Sequence, residues 1–177
     1  MMSGLLVGKP YHKTQTKIIA WKDQGLTKIK ELTDGEVGEI IVAGPHVLKQ
    51  YFNNEEAIKK NKIQLGDTLW HRTGDSGFIN AHGELLLTGR CNTLFHHNEK
   101  LVCPFLIEDF LLNLEGINMG TILQKGDGVE FVLEGKYTNK IKVQKIIATL
   151  DFHPFSIRWA EIPRDPRHHS KIDYGKL

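Results

Sequence analysis

His71-Arg72-Thr73-Gly74-Asp75-Ser76-Gly77, followed at short range by Thr88-Gly89-Arg90, is the stretch on which the reading of this 177-residue chain turns. A carboxylate stands between glycines that let the backbone turn tightly, and an arginine closes the next apolar run. Between them, Gly77-Phe78-Ile79-Asn80 and Glu84-Leu85-Leu86-Leu87-Thr88 flank Ala81-His82-Gly83, a three-residue hairpin loop with Gly where a positive φ is wanted. Folding that hairpin brings its two ends together, and with them Asp75 and Arg90. A carboxylate offers two acceptor oxygens that match the cis hydroxyls of a ribose, and a guanidinium keeps its donors at any physiological pH. Local sequence alone favours an Asx-turn for Asp75 and a surface ion pair for Arg90, so the ligand reading depends on the two being brought together.

Working outward, residues 1–91 are β-rich. Lys17-Ile18-Ile19-Ala20-Trp21 and Val37-Gly38-Glu39-Ile40-Ile41-Val42 are β-branched runs separated by a polar loop ending in Thr33-Asp34-Gly35, and Gly44-Pro45 closes the second. Asn53-Asn54 suits the cap of a short helix over residues 55–62, with Glu55 and Glu56 in the favourable first turn. After Arg90 the pattern changes to a compact α+β unit over residues 92–177, with the joint at Cys91-Asn92-Thr93. Leu106, Phe110, Leu111 and Leu114 share one face of a helix begun by Pro104. Strands around 120–124 and 129–133 are joined by Lys125-Gly126-Asp127-Gly128, and Val143, Ile146, Ile147 and Leu150 recur at helical spacing. Phe155–Ile162 reads as a last strand, broken by Pro163-Arg164-Asp165-Pro166.

Bulk composition narrows the class of function. Apolar residues at 40% and charged residues at 25% describe a globular chain that can bury a core. A net charge of +2 is too mild to argue for nucleic acid or an anionic membrane. Arg164, Arg167, His168, His169 and Lys171 form a local basic cluster whose anion would be a single phosphate-like group. Cys91 and Cys103 make no disulfide framework and point to a reducing compartment. No apolar run has the length of a membrane span, and the first residues open no signal peptide, so the expected setting is cytoplasmic. Cys91, Cys103, His96 and His97 lack C-x-x-C or H-x₃₋₅-H spacing, and no metal site is expected on them.

The order R-T-G-D-x-G at Arg72–Gly77, x-G-R at Thr88–Arg90 and a Lys at position 171 resembles the signature of the adenylate-forming enzymes, which include acyl-CoA synthetases, luciferases and peptide-synthetase adenylation domains. The resemblance runs along nearly the whole chain but reaches only the family's C-terminal part. It implies an α+β protein: a small β-rich subdomain, part of a distorted barrel, over 1–91, then a compact α+β lid domain over 92–177. It further implies that Asp75 and Arg90 hold the ribose of ATP or AMP, with Mg²⁺ on the triphosphate in the complete enzyme. Lys171 would serve adenylation of a carboxylic acid, a fatty acyl substrate, and Asn92 would be the hinge, where the family commonly has Asp or Lys. Gly4-Leu5-Leu6-Val7-Gly8-Lys9-Pro10 resembles the G-x-x-V-G-x-P that opens the family's β-subdomain.

Departures from the common pattern point to a branch. Ser170 replaces the usual Gly before Lys, in a longer loop, and Asp165-Pro166-Arg167-His168-His169-Ser170-Lys171-Ile172 resembles the D-x-R-H-x-x-K-I segment of the olefin-biosynthesis β-lactone synthetases. Leu69-Trp70-His71-Arg72 and Tyr51-Phe52-Asn53 look like the same branch. The Lys-x-x-Gly that lets pantetheine pass in acyl-CoA ligases is replaced by the Gly-free Phe95-His96-His97-Asn98-Glu99-Lys100. The family's upstream phosphate loop and acyl pocket have no counterpart in these residues. The expectation is therefore a piece of a ligase, inactive alone, with an apolar face suited to its missing N-terminal portion or to self-association. The alternatives are a fragment of an acyl-CoA synthetase and a non-catalytic module binding a nucleotide or a protein.

Overall fold

The computed structural model describes residues 4–21, 29–49, 54–136, 140–168 and 170–177. Tyr51-Phe52-Asn53 and His169 lie outside the described residues. The chain divides into two compact units, Met1–Asn92 and Thr93–Leu177, and the fold is α+β.

In the first unit, strands β1 (Leu5–Gly8), β2 (Gln15–Ile19), β3 (Gly38–Ala43), β4 (Lys62–Leu65), β5 (Thr68–Ile79) and β6 (Leu85–Arg90) form an antiparallel sheet in the order β1-β6-β5-β3-β2, with β4 also on β5. The curled, open sheet matches the expected portion of a distorted barrel. Alternating β-branched residues aim Ile19, Ile41, Ala43, Ile63 and Trp70 into one core, with Ile29 and Leu65 packed against it. Helix α1 (Glu55–Asn61) is capped by the Asn54 side chain, which accepts from the Ala57 amide at 2.9 Å. It ends a residue earlier than its composition suggests, because Lys62 already pairs with His71.

Two expectations change here. The run expected over Lys17–Trp21 forms β2, Gln15–Ile19, and does not extend to Trp21. More consequentially, Asp75 lies within the twelve-residue β5 and not on a turn. The glycines still matter, as kinks in a strand. Gly74 has φ +71, and the ladder to β6 shifts register between Ser76 and Gly77. A Cβ on Gly77 would sit 2.4 Å from the Leu86 carbonyl oxygen, so only glycine lets β6 approach there.

In the second unit, β7 (Phe95–His97) and β8 (Lys100–Val102) make a hairpin, and α2 (Pro104–Leu112) follows with Pro at its start. Strands β9 (Ile117–Lys125) and β10 (Gly128–Gly135) are antiparallel; α3 (Lys140–Ala148) then leads to β11 (Phe155–Trp159), which lies parallel to β10. Val129, Phe131 and Leu133 alternate onto one sheet face with Ile122, and meet Ile107 and Leu111 of α2 and Val143 and Ile147 of α3. Leu150 packs on this core from beyond the end of α3.

The other face of the sheet carries Thr121, Glu130, Val132 and Glu134, yet Thr121 and Val132 are fully buried. The segment after β11 covers it. Ile162, expected as strand, instead sends its amide to the Glu134 carboxylate at 2.7 Å and is itself fully buried. The strand itself ends at Trp159.

Candidate functional site

The residues expected to form a site fall in two places, one in each unit. In the first, Asp75 and Arg90 are direct cross-strand partners, and Arg90 Nη1 lies 2.9 Å from Asp75 Oδ1. The strand kink is held from beneath. Thr73 Oγ1 donates to the Ile40 carbonyl at 2.7 Å and accepts the Asp75 amide at 3.0 Å. Thr88 Oγ1 donates to Ser76 Oγ at 2.9 Å, both buried, so β5 and β6 are tied together beside the pair. Arg72 is spent internally, with Nε donating at 3.0 Å to the buried Glu39 carboxylate. The Asp75 and Arg90 side chains keep 33% and 57% of their surface exposed, so they face solvent from a rigid base. An exposed pair of this kind contributes only about 0–1 kcal/mol to stability.

Cys91 adjoins them, half-buried. Burial first, then the Glu39 and Asp75 carboxylates, push its thiol up to about 12. It stays protonated and is a poor nucleophile or metal ligand. Among the described residues no three His, Cys, Asp or Glu side chains gather to hold a metal ion.

Asn92 is exposed in a 3₁₀ turn over Cys91–Thr93, and the division between the units falls directly after it.

The second place is the loop bearing Lys171. Arg164 and Ile172 form a β-bridge, the Asp165 amide donates to the Lys171 carbonyl at 2.9 Å, and the Lys171 amide donates to the His168 carbonyl at 2.7 Å. Asp165 Oδ1 also accepts the Arg167 and His168 amides at 2.8 and 3.0 Å. The result is a closed loop with Arg167, His168 and Lys171 exposed along it.

Arg164 does not belong to the basic cluster that composition suggested. It forms a two-pronged pair with Glu134, Nη1 to Oε2 at 2.9 Å and Nη2 to Oε1 at 2.7 Å, and also donates to the Ile162 carbonyl. These bonds hold the Glu134 carboxyl below its ordinary range and Arg164 above its own. Arg164 is the base of the loop.

Sequence reasoning missed the group behind the other end of the loop. Tyr174 OH donates to Glu108 Oε1 of α2, Thr121 Oγ1 donates to the same oxygen at 2.8 Å, and the two hydroxyls lie 2.8 Å apart. Burial raises the Glu108 carboxyl against the pull of both hydrogen bonds. Burial, then the Glu108 carboxylate, raises the Tyr174 phenol. Glu108 and Tyr174 are 66 positions apart, so no local pattern links them.

No protein-family model matches the chain. It is 36% identical over 110 residues to the putative acyl–CoA ligase YdaB of Bacillus subtilis, covering 62% of this chain and 20% of that protein. It is 35% identical over 96 residues to the olefin beta-lactone synthetase of Xanthomonas campestris pv. campestris, covering 50% of this chain and 17% of the other. The match thus spans about a fifth or less of either relative. Among solved structures, ATP-bound MatB from Rhodopseudomonas palustris superposes with a TM-score of 0.75 at 23% identity, over 97% of this chain and 35% of that one. In sequence and in fold, the chain is similar to a portion of the adenylate-forming, acyl-CoA-synthetase-like ligases.

Proposed function

We propose that this chain is the ribose-holding and lid portion of an ATP-dependent ligase that activates a carboxylic acid as its acyl adenylate. The observation that carries the reading is the solvent-facing Asp75–Arg90 pair at 2.9 Å, held on two adjacent strands by buried hydroxyls. Two acceptor oxygens beside a planar donor suit the vicinal hydroxyls of a ribose. The similarity to adenylate-forming ligases supports the same assignment.

In the complete enzyme a carboxylate oxygen attacks the α-phosphorus of ATP, forming the acyl-phosphate bond as pyrophosphate departs. Negative charge grows on the phosphoryl oxygens, and the Lys171 ammonium, on its closed loop, stabilises that state. Asn92 is the hinge about which the two units reorient between steps. In this reading the contacts to the β- and γ-phosphates and the acyl pocket come from outside these residues.

The finer reading is a β-hydroxy fatty acid whose own hydroxyl attacks the adenylate carbonyl, releasing AMP and closing a β-lactone while the hydroxyl proton passes to solvent. The D-x-R-H-x-x-K-I run and the similarity to the Xanthomonas enzyme support it. So does the turn at Asn98-Glu99, where φ is +49 and +62 without a glycine to admit a pantetheine arm. The acyl-CoA ligase reading draws support from the 36% identity to YdaB. Product analysis with a 3-hydroxy acid separates them: lactone without coenzyme A supports the first, and a coenzyme A-dependent thioester supports the second.

The ribose assignment is tested on the chain itself by titration with AMP, followed by amide NMR. Weak binding is expected, with shifts centred on residues 72–77 and 88–92. Asp75→Ala should weaken it by about tenfold, the scale of a charge-assisted hydrogen bond. Binding that is indifferent to Asp75→Ala would remove the assignment.

A further inference from the structure

The loop that carries Lys171 is clamped at both ends, and the two clamps differ in kind. At the entry, Arg164 is fixed to Glu134 of β10, and Ile162 is buried against the same strand. At the exit, the Asp173 amide donates to the Pro163 carbonyl at 2.8 Å, and the next residue, Tyr174, reaches Glu108 and the fully buried Thr121.

We infer that the Tyr174 hydroxyl, which donates to Glu108 of α2 beside the Thr121 hydroxyl of β9, is a positioning group that fixes the loop bearing Lys171. This rests on the reading of Lys171 as the adenylation lysine, and it deepens that reading.

The geometry explains why a hydroxyl and a carboxylate are needed there. Tyr174 follows Lys171 by only three residues, in a short 3₁₀ turn over Tyr174–Lys176. Asp173 caps this turn through the Gly175 amide at 3.2 Å, and Arg158 reaches the Leu177 carbonyl only at 3.5 Å. Those contacts are local or long. The Tyr174–Glu108–Thr121 group instead joins the segment to a helix and to the edge strand of the sheet, both parts of the core. A half-buried carboxylate accepting two hydroxyls, one of them from the fully buried Thr121, is costly to leave half-satisfied, so the arrangement holds one geometry firmly. Glu108, Thr121 and Tyr174 do not carry the chemistry; they act through Lys171.

A lysine that stabilises a transition state must be held within a fraction of an ångström of its working place. Loosening its loop therefore lowers kcat for adenylation and leaves the KM for ATP nearly unchanged, because ribose binding lies with Asp75 and Arg90.

The test has two arms. In the 177-residue chain, amide hydrogen exchange is measured for wild type, Tyr174→Phe, Glu108→Leu and Glu108→Gln. The Asp165, Lys171 and Asp173 amides should exchange about tenfold faster in Tyr174→Phe and Glu108→Leu, the scale of one lost hydrogen bond to a charged group. Ile122 and Phe131 should be unchanged, and Glu108→Gln, which keeps an acceptor oxygen, should lie close to wild type. No change at the three loop amides, or equal acceleration at Ile122 and Phe131, overturns the proposal. In the chain joined to the upstream portion of a relative, Tyr174→Phe should lower kcat for pyrophosphate exchange at unchanged KM for ATP. A matching rise in KM, or unaltered kcat, also overturns it. If the joined wild type shows no exchange at all, the ligase reading fails, while the first arm still decides whether Tyr174 fixes the loop.

Discussion

Glu134 shows how much one residue can anchor. Its carboxylate accepts from both Arg164 nitrogens and from the Ile162 amide, and the Arg164 bonds in particular hold it below the ordinary carboxylate range, against the opposing effect of burial. A carboxyl with a depressed folded-state pKa contributes stability that is present above its unfolded value, near 4.5, and lost as pH falls through the folded value. The loop over 164–172 should therefore loosen in mild acid before the strands do. Protection of the Asp165 amide, followed from pH 7 downward, should fall below pH 4.5 in wild type and already be low at neutral pH in Glu134→Gln, with only the smaller response of Asp165 itself remaining. Glu134→Gln should cost about 1–3 kcal/mol at neutral pH, since Arg164 is left half-paired. A loop that keeps the same pH response without Glu134 would show that another group holds it.

At the scale of single elements, the hairpin of β7 and β8 makes the sharpest demand. His97 pairs with Lys100, so Asn98 and Glu99 alone make the turn, both with positive φ. Two-residue turns of this hand follow the twist of the strands, and the second position favours Gly. Glu99→Gly should therefore raise stability by about 0.5–1 kcal/mol, visible as a higher midpoint in thermal unfolding. A lower midpoint would mean that Glu99 makes a contact that offsets its strained backbone.

The same scale shows what the sequence can reveal. The runs around Ile40, Leu86, Ile122 and Phe131 were legible because alternation and helical spacing are local signals, and Pro104 and Asn54 announce their helices directly. The R-T-G-D-x-G segment was legible as a motif and misread as structure. Its glycines suggest a turn, yet they kink a long strand, a distinction set by which strands lie alongside. The pairing of Asp75 with Arg90 followed from the hairpin between them. Arg164 with Glu134, and Tyr174 with Glu108, could not be read, because charge counts say nothing about partners 30 and 66 positions away.

At the scale of the molecule, β1 ends its sheet, and Leu5, Leu6 and Val7 are 58%, 59% and 60% exposed. Three consecutive apolar residues on an end strand invite pairing with another chain. The chain should associate with itself at high concentration, and Leu6→Lys should shift it toward monomer in sedimentation without altering its circular dichroism. Wild type that stays monomeric at every concentration would show that this strand needs no partner.

Under the proposed function these residues hold the nucleotide and act on it, with the rest of the catalytic apparatus supplied from outside the matched portion. Carboxylate-dependent exchange of pyrophosphate into ATP measures this most directly, for the chain alone and for the chain joined to the upstream portion of the Xanthomonas enzyme. No exchange is expected from the chain alone, and clear exchange from the joined protein. Within the joined protein, Lys171→Ala should slow exchange by roughly 10²–10³ and Asp75→Ala should act mainly on the affinity for ATP. Robust exchange by the 177-residue chain alone, or a joined enzyme indifferent to Lys171→Ala, would contradict it.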